Sequence, residues 1–154
     1  MKTKQRMIDT MVFPVAVCGC ESWSLQKTEL RRIRAFEMWC WRRLLRLSWT
    51  EKRKNAWVLE KINPSQSLEE KIVKQKLGFF GCVARKDGSL EKTIMLGEVG
   101  GKRTKGRPRM RWLDDIKLSL NVKSINVIKE MARKRKQWRE LLYRVAHSRN
   151  RPGD

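Results

Sequence analysis

The chain has 154 residues, enough for one domain or two small helical lobes, and 37 Lys+Arg against 16 Asp+Glu give it a formal charge of +21. A fold with this excess repels itself unless counterions or an anionic partner screen it, which favours a polyanion as partner. The apolar run from Met11 to Cys20 is far shorter than the roughly 20 residues of a spanning helix, which argues against a membrane protein. Four cysteines without a secretory signal predict reduced thiols in an intracellular protein of the nucleus or cytoplasm.

The N-terminal part of the chain predicts two helices. Residues 5–17 can form a short helix that Pro14 interrupts or ends. Residues 29–47 predict the clearest helix, because apolar residues recur along it at steps of three or four, and Thr28 is placed to cap its N-terminus.

Two tryptophans flank the apolar stripe of the helix over 29–47. Because Trp39 and Trp41 lie beside the stripe, we expect at least one of them to be only partly buried. Two roles stay open for them: packing in the core, or an aromatic surface on which a nucleic-acid base stacks.

Two serines begin capping-box patterns in the middle of the chain. Ser48-Trp-Thr-Glu51 and Ser67-Leu-Glu-Glu70 predict helices near 51–61 and 68–85. Two glycines interrupt the second of these helices at a cost of about 1 kcal/mol each against alanine, so close contact with another helix is the expected reason. They are Gly78 and Gly81. A short helix over 90–96 is expected to follow, with Gly97 at its C-terminus.

A run of cations without a carboxylate extends from Gly101 to Arg111. It covers most of a predicted basic linker, residues 98–109, and continues two residues beyond it. Its glycines lack a Cβ and let the backbone come close to a surface. Because these cations are too close together to be neutralised within the run, they favour nucleic acid as a ligand. The alternative is a solvated basic loop that only keeps the protein soluble. Phosphate contacts are predicted for Lys102, Arg103, Lys105, Arg107, Arg109 and Arg111.

The C-terminal part predicts two further helices. Pro108 is placed to begin one that extends to about Leu120, and Ser124 to cap a last one over about 125–147. A second cationic patch in the last helix is predicted to add phosphate contacts through Arg133, Lys134, Arg135 and Lys136.

No segment alternates strictly between apolar and polar residues, so the predicted fold class is all-α. We expect a small irregular helical bundle with a basic Gly/Arg-rich linker. Two helical lobes, over 26–97 and 110–149, would lie on either side of the linker, and residues 150–154 would form a disordered tail.

Few residues in the sequence are suited to catalysis or metal binding. The doublet Asp114-Asp115 could hold Mg²⁺, but neighbouring side chains of a helix point about 100° apart, so we expect the doublet to favour the helix N-terminus instead. His147 is the sole histidine, and no phosphate-binding Gly-rich loop with Lys-Ser/Thr is present. The cysteines, Cys18, Cys20, Cys40 and Cys82, include one loose pair, which favours structural thiols and leaves a metal site open. No cofactor is expected.

Lys105-Gly-Arg-Pro-Arg109 resembles the core of an AT-hook, a short motif that lays arginines into the narrow minor groove of A·T-rich DNA. Five residues give this match little specificity. Arg109 to Leu113 also belong to the predicted helix, which leaves less extended chain than the motif needs.

A set of short motifs over roughly residues 8–149 is specific as a set, although no single motif is. They are Cys18–Leu25, Arg32–Arg46, Trp49–Thr50, Ile62–Pro64, Lys76–Gly81, Ser89–Gly97, Gly106–Asp115, Arg135–Arg139 and Val145–Arg149. In this order they resemble the region after the polymerase core in non-LTR (LINE) retrotransposon proteins of the RTE type. The resemblance implies that residues 1–25 are a remnant of the reverse transcriptase thumb, and that the rest helps to hold template RNA or target DNA.

The sequence departs from that family at the residues that would carry catalysis. The aromatic-Ala-Asp-Asp motif of the polymerase and the endonuclease residue sets are absent. Cys18 stands where the family usually has tyrosine, and Cys82 where histidine is frequent, so any zinc or RNA contact of that histidine is not carried over. The favoured prediction is therefore a non-enzymatic RNA- or DNA-binding fragment of a reverse transcriptase, without membrane or small-molecule partners. The alternatives are a helical piece that docks on a polymerase core in trans, and a nonfunctional retrotransposon-derived fragment.

Overall fold

The computed structural model describes residues 2–97, Gly106 and residues 110–148. Every regular element in these ranges is helical and no strand occurs in them, which confirms the all-α prediction. The helices are α1 (Lys2–Met7), α2 (Phe13–Ala16), α3 (Lys27–Leu44), α4 (Asn55–Ile62), α5 (Leu68–Ala84), α6 (Leu90–Leu96), α7 (Trp112–Leu120), α8 (Ile125–Arg133) and α9 (Arg135–Ser148). None of the helices described is long and apolar enough to cross a membrane.

The N-terminal segment follows one helical path past its proline. A π-helical segment, Ile8–Val12, joins α1 to α2. Pro14 lies in the first turn of α2, where its missing N–H is tolerated. The expected interruption is therefore confirmed as a wider π-helical turn just before Pro14, whereas the alternative, that Pro14 ends the helix, is wrong because the helical path continues to Ala16.

Side chains cap the starts of α3 and α5. Glu29 Oε2 accepts a hydrogen bond from the backbone N–H of Gln26 at 2.9 Å, so Gln26 precedes the first turn of α3. The predicted cap, Thr28, is wrong: its hydroxyl lies inside that turn and donates to Glu29 Oε1 at 3.0 Å. Ser67 and Glu70 form the predicted reciprocal pair, with bonds of 3.2 and 2.9 Å, which confirms the capping box of α5.

The other capping-box pattern holds a short turn and not a helix. The backbone N–H of Ser48 donates to Glu51 Oε1 at 3.3 Å, and a 3-10 turn covers Trp49–Glu51. The following helix, predicted over about 51–61, begins only at Asn55. A loop is therefore left between α3 and α4.

The helices pack in two hydrophobic clusters that meet within α5. The start of α5 packs with α2, α3 and α4, and its later turns pack with α7, α8 and α9. Buried residues of the first cluster are Phe13, Val17, Cys20, Leu25, Cys40, Trp41, Val58, Ile62, Leu68 and Ile72. Those of the second are Val73, Leu77, Phe80, Ala84, Ile116, Ile128, Ala132 and Trp138. The division into lobes at the linker, residues 98–109, stays a prediction.

One of the two glycines of α5 makes the predicted close helix contact. Trp138 of α9 is 2% exposed, and its indole Nε1 donates to the carbonyl of Leu77 at 3.2 Å. A Cβ on Gly81 would lie 2.7 Å from Cδ1 of this ring, so only glycine fits there. Gly78 has no neighbour within 4 Å of the same position, so the prediction is confirmed for Gly81 and wrong for Gly78.

The last predicted helix is two helices. The backbone leaves helical geometry at Lys134, with φ −84° and ψ 86°, so α8 and α9 replace the single helix expected over 125–147. Both α8 and α9 contact α5, and the break lets each turn its own apolar face toward that helix. Arg85 Nη1 of α5 donates to the carbonyl of Ala132 at 2.9 Å, which satisfies an acceptor near the end of α8. Ser124 precedes α8 in extended geometry, but its side chain makes no capping bond.

The start of α7 also differs from the prediction. Met110 and Arg111 are not helical, and α7 begins at Trp112, whereas Pro108 lies outside the described residues. The indole Nε1 of Trp112 donates to the carbonyl of Glu21 at 2.6 Å, which ties α7 to the segment before α3. This bond requires the ring of Trp112 to point into the fold. The extended backbone of Arg111, which precedes α7, sets that orientation.

Candidate nucleic-acid interface

The two tryptophans of α3 have opposite environments. Trp41 is fully buried, packs edge-on against Phe13 at a centroid distance of 5.2 Å, and donates its Nε1–H to Glu37 at 3.4 Å. It cannot stack on a base, which corrects that prediction. Trp39 is 58% exposed, because residues two apart on a helix point to different sides. The expectation that at least one tryptophan is only partly buried is confirmed.

Cations surround the exposed indole of Trp39. We call this region the Trp39 surface, and define it as Trp39, Arg42, Arg43, Arg46, Lys52 and Arg53, which line two cavities that share Trp39. The guanidinium of Arg43 lies 5.9 Å from the centroid of the Trp39 ring, and Phe36 stacks on that ring at 6.2 Å. The arrangement combines positive charge with an aromatic face, the two features that single-stranded nucleic acids bind.

Few carboxylates oppose this charge. Glu51 Oε2 lies 3.8 Å from Arg53 Nε, and both side chains are exposed, so this ion pair is weak. Within the ranges that the structure describes, no ion pair is formed by Arg43, Arg46 or Lys52. The Trp39 surface therefore keeps a local positive charge available to an anion.

The second cationic patch lies where α8 gives way to α9. We call Arg133, Lys134, Arg135 and Lys136 the junction patch; all four side chains are exposed. Arg133 Nη1 pairs with Glu130 at 3.0 Å in an exposed contact, and the described chain offers no ion pair to the other three. Arg135 and Lys136 lie in the first turn of α9, at the positive end of the helix dipole, which disfavours cations. No carboxylate in that turn offsets their charge.

Most of the predicted linker cations lie outside the described residues. These are Lys102, Arg103, Lys105, Arg107 and Arg109. Arg111 is described: it is exposed, and its backbone N–H donates to Asp114 Oδ2 at 3.1 Å.

Both carboxylates of the acidic doublet have structural partners. Asp114 caps the first turn of α7 and lies 3.8 Å from Lys117, which confirms the expected role at the helix N-terminus. Asp115 Oδ2 pairs with the ammonium of Lys76, which is 3% exposed, and lies 3.5 Å from the backbone nitrogen of Leu25. Over the described ranges, no group of three or more metal-binding side chains is found.

A buried carboxylate that the sequence did not reveal connects α3 to α5. Glu37 is 3% exposed, and its Oε2 accepts a hydrogen bond from the backbone N–H of Leu68 at 3.1 Å. Burial raises the pKa of Glu37, although the bonds from Leu68 and Trp41 act in the opposite direction. The apolar-stripe pattern treats such a position as polar surface, so it gave no signal.

The cysteines divide into two exposed and two buried thiols, all free. Cys18 and Cys82 are exposed, whereas Cys20 and Cys40 are buried. Burial raises the pKa of Cys20 to about 11, and its Sγ lies 2.8 Å from Gln75 Oε1 as a hydrogen-bond donor. Burial also raises the pKa of Cys40.

Sequence reasoning missed the loop cations of the Trp39 surface. Lys52 and Arg53 were expected at the start of a helix, and the structure places them in a loop opposite Trp39. The available signal was the pair of cationic groups at 42–46 and 52–54, separated by a Ser-capped turn.

Comparison with known proteins supports a transposon origin. An uncharacterized transposon-derived protein of Caenorhabditis elegans is 27% identical to this chain over 153 residues. The match covers 93% of this chain and 55% of that protein, so the chain spans about half the length of this relative. No protein-family model matches the chain, and no solved structure matches it.

Proposed function

We propose that this chain is a nucleic-acid-binding segment derived from a non-LTR retrotransposon protein, and that it holds template RNA or target DNA through phosphate contacts. It acts without catalysis and without a cofactor, because its sequence lacks the polymerase and endonuclease motifs of the family that it resembles. The similarity to a transposon-derived protein supports a transposon origin. The linker cations and the junction patch supply the contacts.

The observation that carries this proposal is the junction patch. Four consecutive exposed cations lie at the junction between α8 and α9. Two of them lie in the first turn of α9, where the positive end of the helix dipole repels them. Such an arrangement is unfavourable in isolation and becomes favourable when an anion lies beside the first turn of the helix. A phosphate backbone offers a row of anions at regular spacing, which suits a row of cations.

The test replaces all four cations of the junction patch with glutamine. A matched control replaces four exposed lysines elsewhere, Lys2, Lys27, Lys74 and Lys123, so that both variants lose the same net charge. Binding to a duplex DNA is measured by filter binding at several salt concentrations. We expect the junction variant to reduce the steepness of the salt dependence by about one for each cation that contacts a phosphate, and the control to change it by less than one. Equal losses in both variants would mean that bulk charge, and not the junction patch, attracts the DNA.

A second candidate function rests on the exposed apolar residues of the N-terminal helical path. Met7, Met11 and Val15 are 55%, 63% and 78% exposed, and an apolar groove of about 420 Å³ lies between this path and α3. The occupant that we propose is an apolar helix from the polymerase core of a longer parent protein, since the relative extends well beyond the part that this chain matches. Cations at the rim of the groove, such as Lys4 and Arg46, favour an acidic flank on that helix.

Sedimentation velocity tests this second function. A chain that depends on a polymerase core to cover its apolar groove should self-associate when alone, and Met11→Gln with Val15→Gln should make it monomeric. A wild-type chain that is folded and monomeric at every concentration would argue against docking.

A further inference from the structure

One of the two cavities of the Trp39 surface is both polar and aromatic. It has a volume of about 420 Å³, within the roughly 300–1,000 Å³ of ligand pockets, and lies between the C-terminal half of α3 and the loop before α4. Its principal lining side chains are Trp39, Arg42, Arg43, Ser48, Lys52 and Arg53.

Arg42, which lines this cavity, has an N–H group without a hydrogen-bond partner in the described part of the chain. Arg42 Nη2 donates to the carbonyl of Arg53 at 2.9 Å and to Asn55 Oδ1 at 2.8 Å, so its guanidinium is fixed against the loop. Its Nε–H is buried and has no hydrogen-bond acceptor among the residues that the structure describes. A buried unpaired donor costs free energy, and the positive charge of this guanidinium favours an anion in the cavity beside it.

The loop around the cavity holds cations in unusual backbone geometry. Arg46 and Lys52 have φ values of +55° and +45°, in the left-handed region that residues with a Cβ rarely adopt. These two residues flank the loop on either side of Ser48. Arg46 takes this geometry where α3 ends, and there the backbone N–H of Leu47 donates to the carbonyl of Arg42 at 3.1 Å. Only Lys52 has it within the loop itself, and backbone strain in a loop is concentrated at binding sites.

We propose that this cavity binds one unpaired nucleotide of a single strand, with the base on the indole of Trp39 and its phosphate at Arg42 and Lys52. Arg43 lies at the outer limit of a cation–π contact with Trp39, so its guanidinium can move onto the base. A paired base is already covered on both faces by its neighbours in a duplex, so only an unpaired base can present its face to Trp39. This inference rests on the proposed function and specifies its ligand: a single strand for the Trp39 surface.

The experiment measures binding of the full chain to a labelled single-stranded oligonucleotide and to the matching duplex, by fluorescence anisotropy at one salt concentration. The variants are Trp39→Ala, Trp39→Phe and, as an exposed aromatic control on α5, Phe79→Ala. We expect Trp39→Ala to weaken single-strand binding about tenfold and to change duplex binding less than twofold. Trp39→Phe should retain most of the single-strand affinity, because it keeps an aromatic face, and Phe79→Ala should match the wild type. Thermal unfolding confirms that each variant folds.

The outcomes separate this inference from the proposed function. Single-strand binding that is unchanged in Trp39→Ala, or reduced equally for both ligands, would overturn the stacking site even if the chain binds DNA through the junction patch. Lys52→Gln provides a second test when the same anisotropy is measured at several salt concentrations. It should lower the steepness of the salt dependence of single-strand binding by about one and leave that of duplex binding unchanged. A wild-type chain that binds neither ligand would instead refute the proposed function.

Discussion

Alanine at Gly81 should destabilise the protein, whereas alanine at Gly78, one turn earlier on the same helix, should stabilise it. A methyl group on Gly81 would approach Cδ1 and Cε2 of Trp138 to 2.7 and 2.9 Å, well inside the roughly 3.5–4.0 Å of a favourable carbon–carbon contact. The Trp138 ring cannot shift easily, because its Nε1–H donates to the carbonyl of Leu77 and its centroid lies 5.9 Å from that of the Phe80 ring.

The magnitude follows from three contributions. Overpacking a buried ring costs about 1–3 kcal/mol, and disturbing the hydrogen bond of its indole adds about 1 kcal/mol. Alanine returns about 1 kcal/mol through its better helix propensity. The net loss for Gly81→Ala is therefore about 1–3 kcal/mol, and Gly78→Ala, with open space around its Cβ, should gain up to about 1 kcal/mol.

Urea unfolding followed by far-ultraviolet circular dichroism measures both changes on one helix. A third variant, Gly81→Ala with Trp138→Phe, should show a smaller penalty for the alanine than the wild-type background does, since the smaller ring leaves room for the methyl group. Equal effects of alanine at the two positions, or a Gly81 penalty that persists unchanged in the Trp138→Phe background, would refute the proposed packing of α5 against α9.

Three further predictions concern buried polar groups. Lys76→Met should destabilise the protein by about 3–5 kcal/mol, because it leaves the carboxylate of Asp115 without its ion-pair partner. Adding Asp115→Leu should recover most of this loss in the same unfolding assay. Equal stability of the single and double variants would contradict this prediction. In a thiol-reagent assay near pH 8, Cys18 and Cys82 should react quickly, whereas Cys20 and Cys40 should react only as the protein unfolds, because they are buried with raised pKa values; four equally fast thiols would be inconsistent with the first cluster. Burial raises the pKa of Glu37 above its unfolded value of about 4.3. Between these two pKa values the native state keeps a proton that the unfolded state loses, so the free energy of unfolding falls as pH rises from about 4.3 toward the native pKa. Glu37→Gln should remove that slope, and a wild-type advantage that grows with pH would show the sign to be wrong.

Local sequence signals predicted the elements whose ends are fixed by neighbouring residues. The Ser67–Glu70 capping box and the Gly97 terminus placed α5 and α6 to within a residue, because both motifs act within one helical turn. Contacts between distant segments decided the rest. The break at Lys134 has neither glycine nor proline to mark it, and arises where α8 and α9 each pack against α5.

The Trp39 surface shows the same limit at the candidate site. Helical periodicity places Trp39 and Trp41 on different sides of α3. It does not indicate which of these sides other parts of the chain cover. Phe13, from the N-terminal path, packs against Trp41 and thereby decides which indole stays exposed. Likewise, Lys52 and Arg53 reach the Trp39 surface only because α4 begins late. The cationic composition was evident from the sequence, whereas its concentration around one indole required the fold.

The salt dependence of DNA binding by the wild-type chain tests the central claim most directly. If the six cations from Lys102 to Arg111 each engage a phosphate of duplex DNA, the logarithm of the association constant should fall with the logarithm of salt concentration with a slope of about −5, and more steeply where the junction patch adds contacts. An affinity that does not change with salt would contradict binding through phosphates.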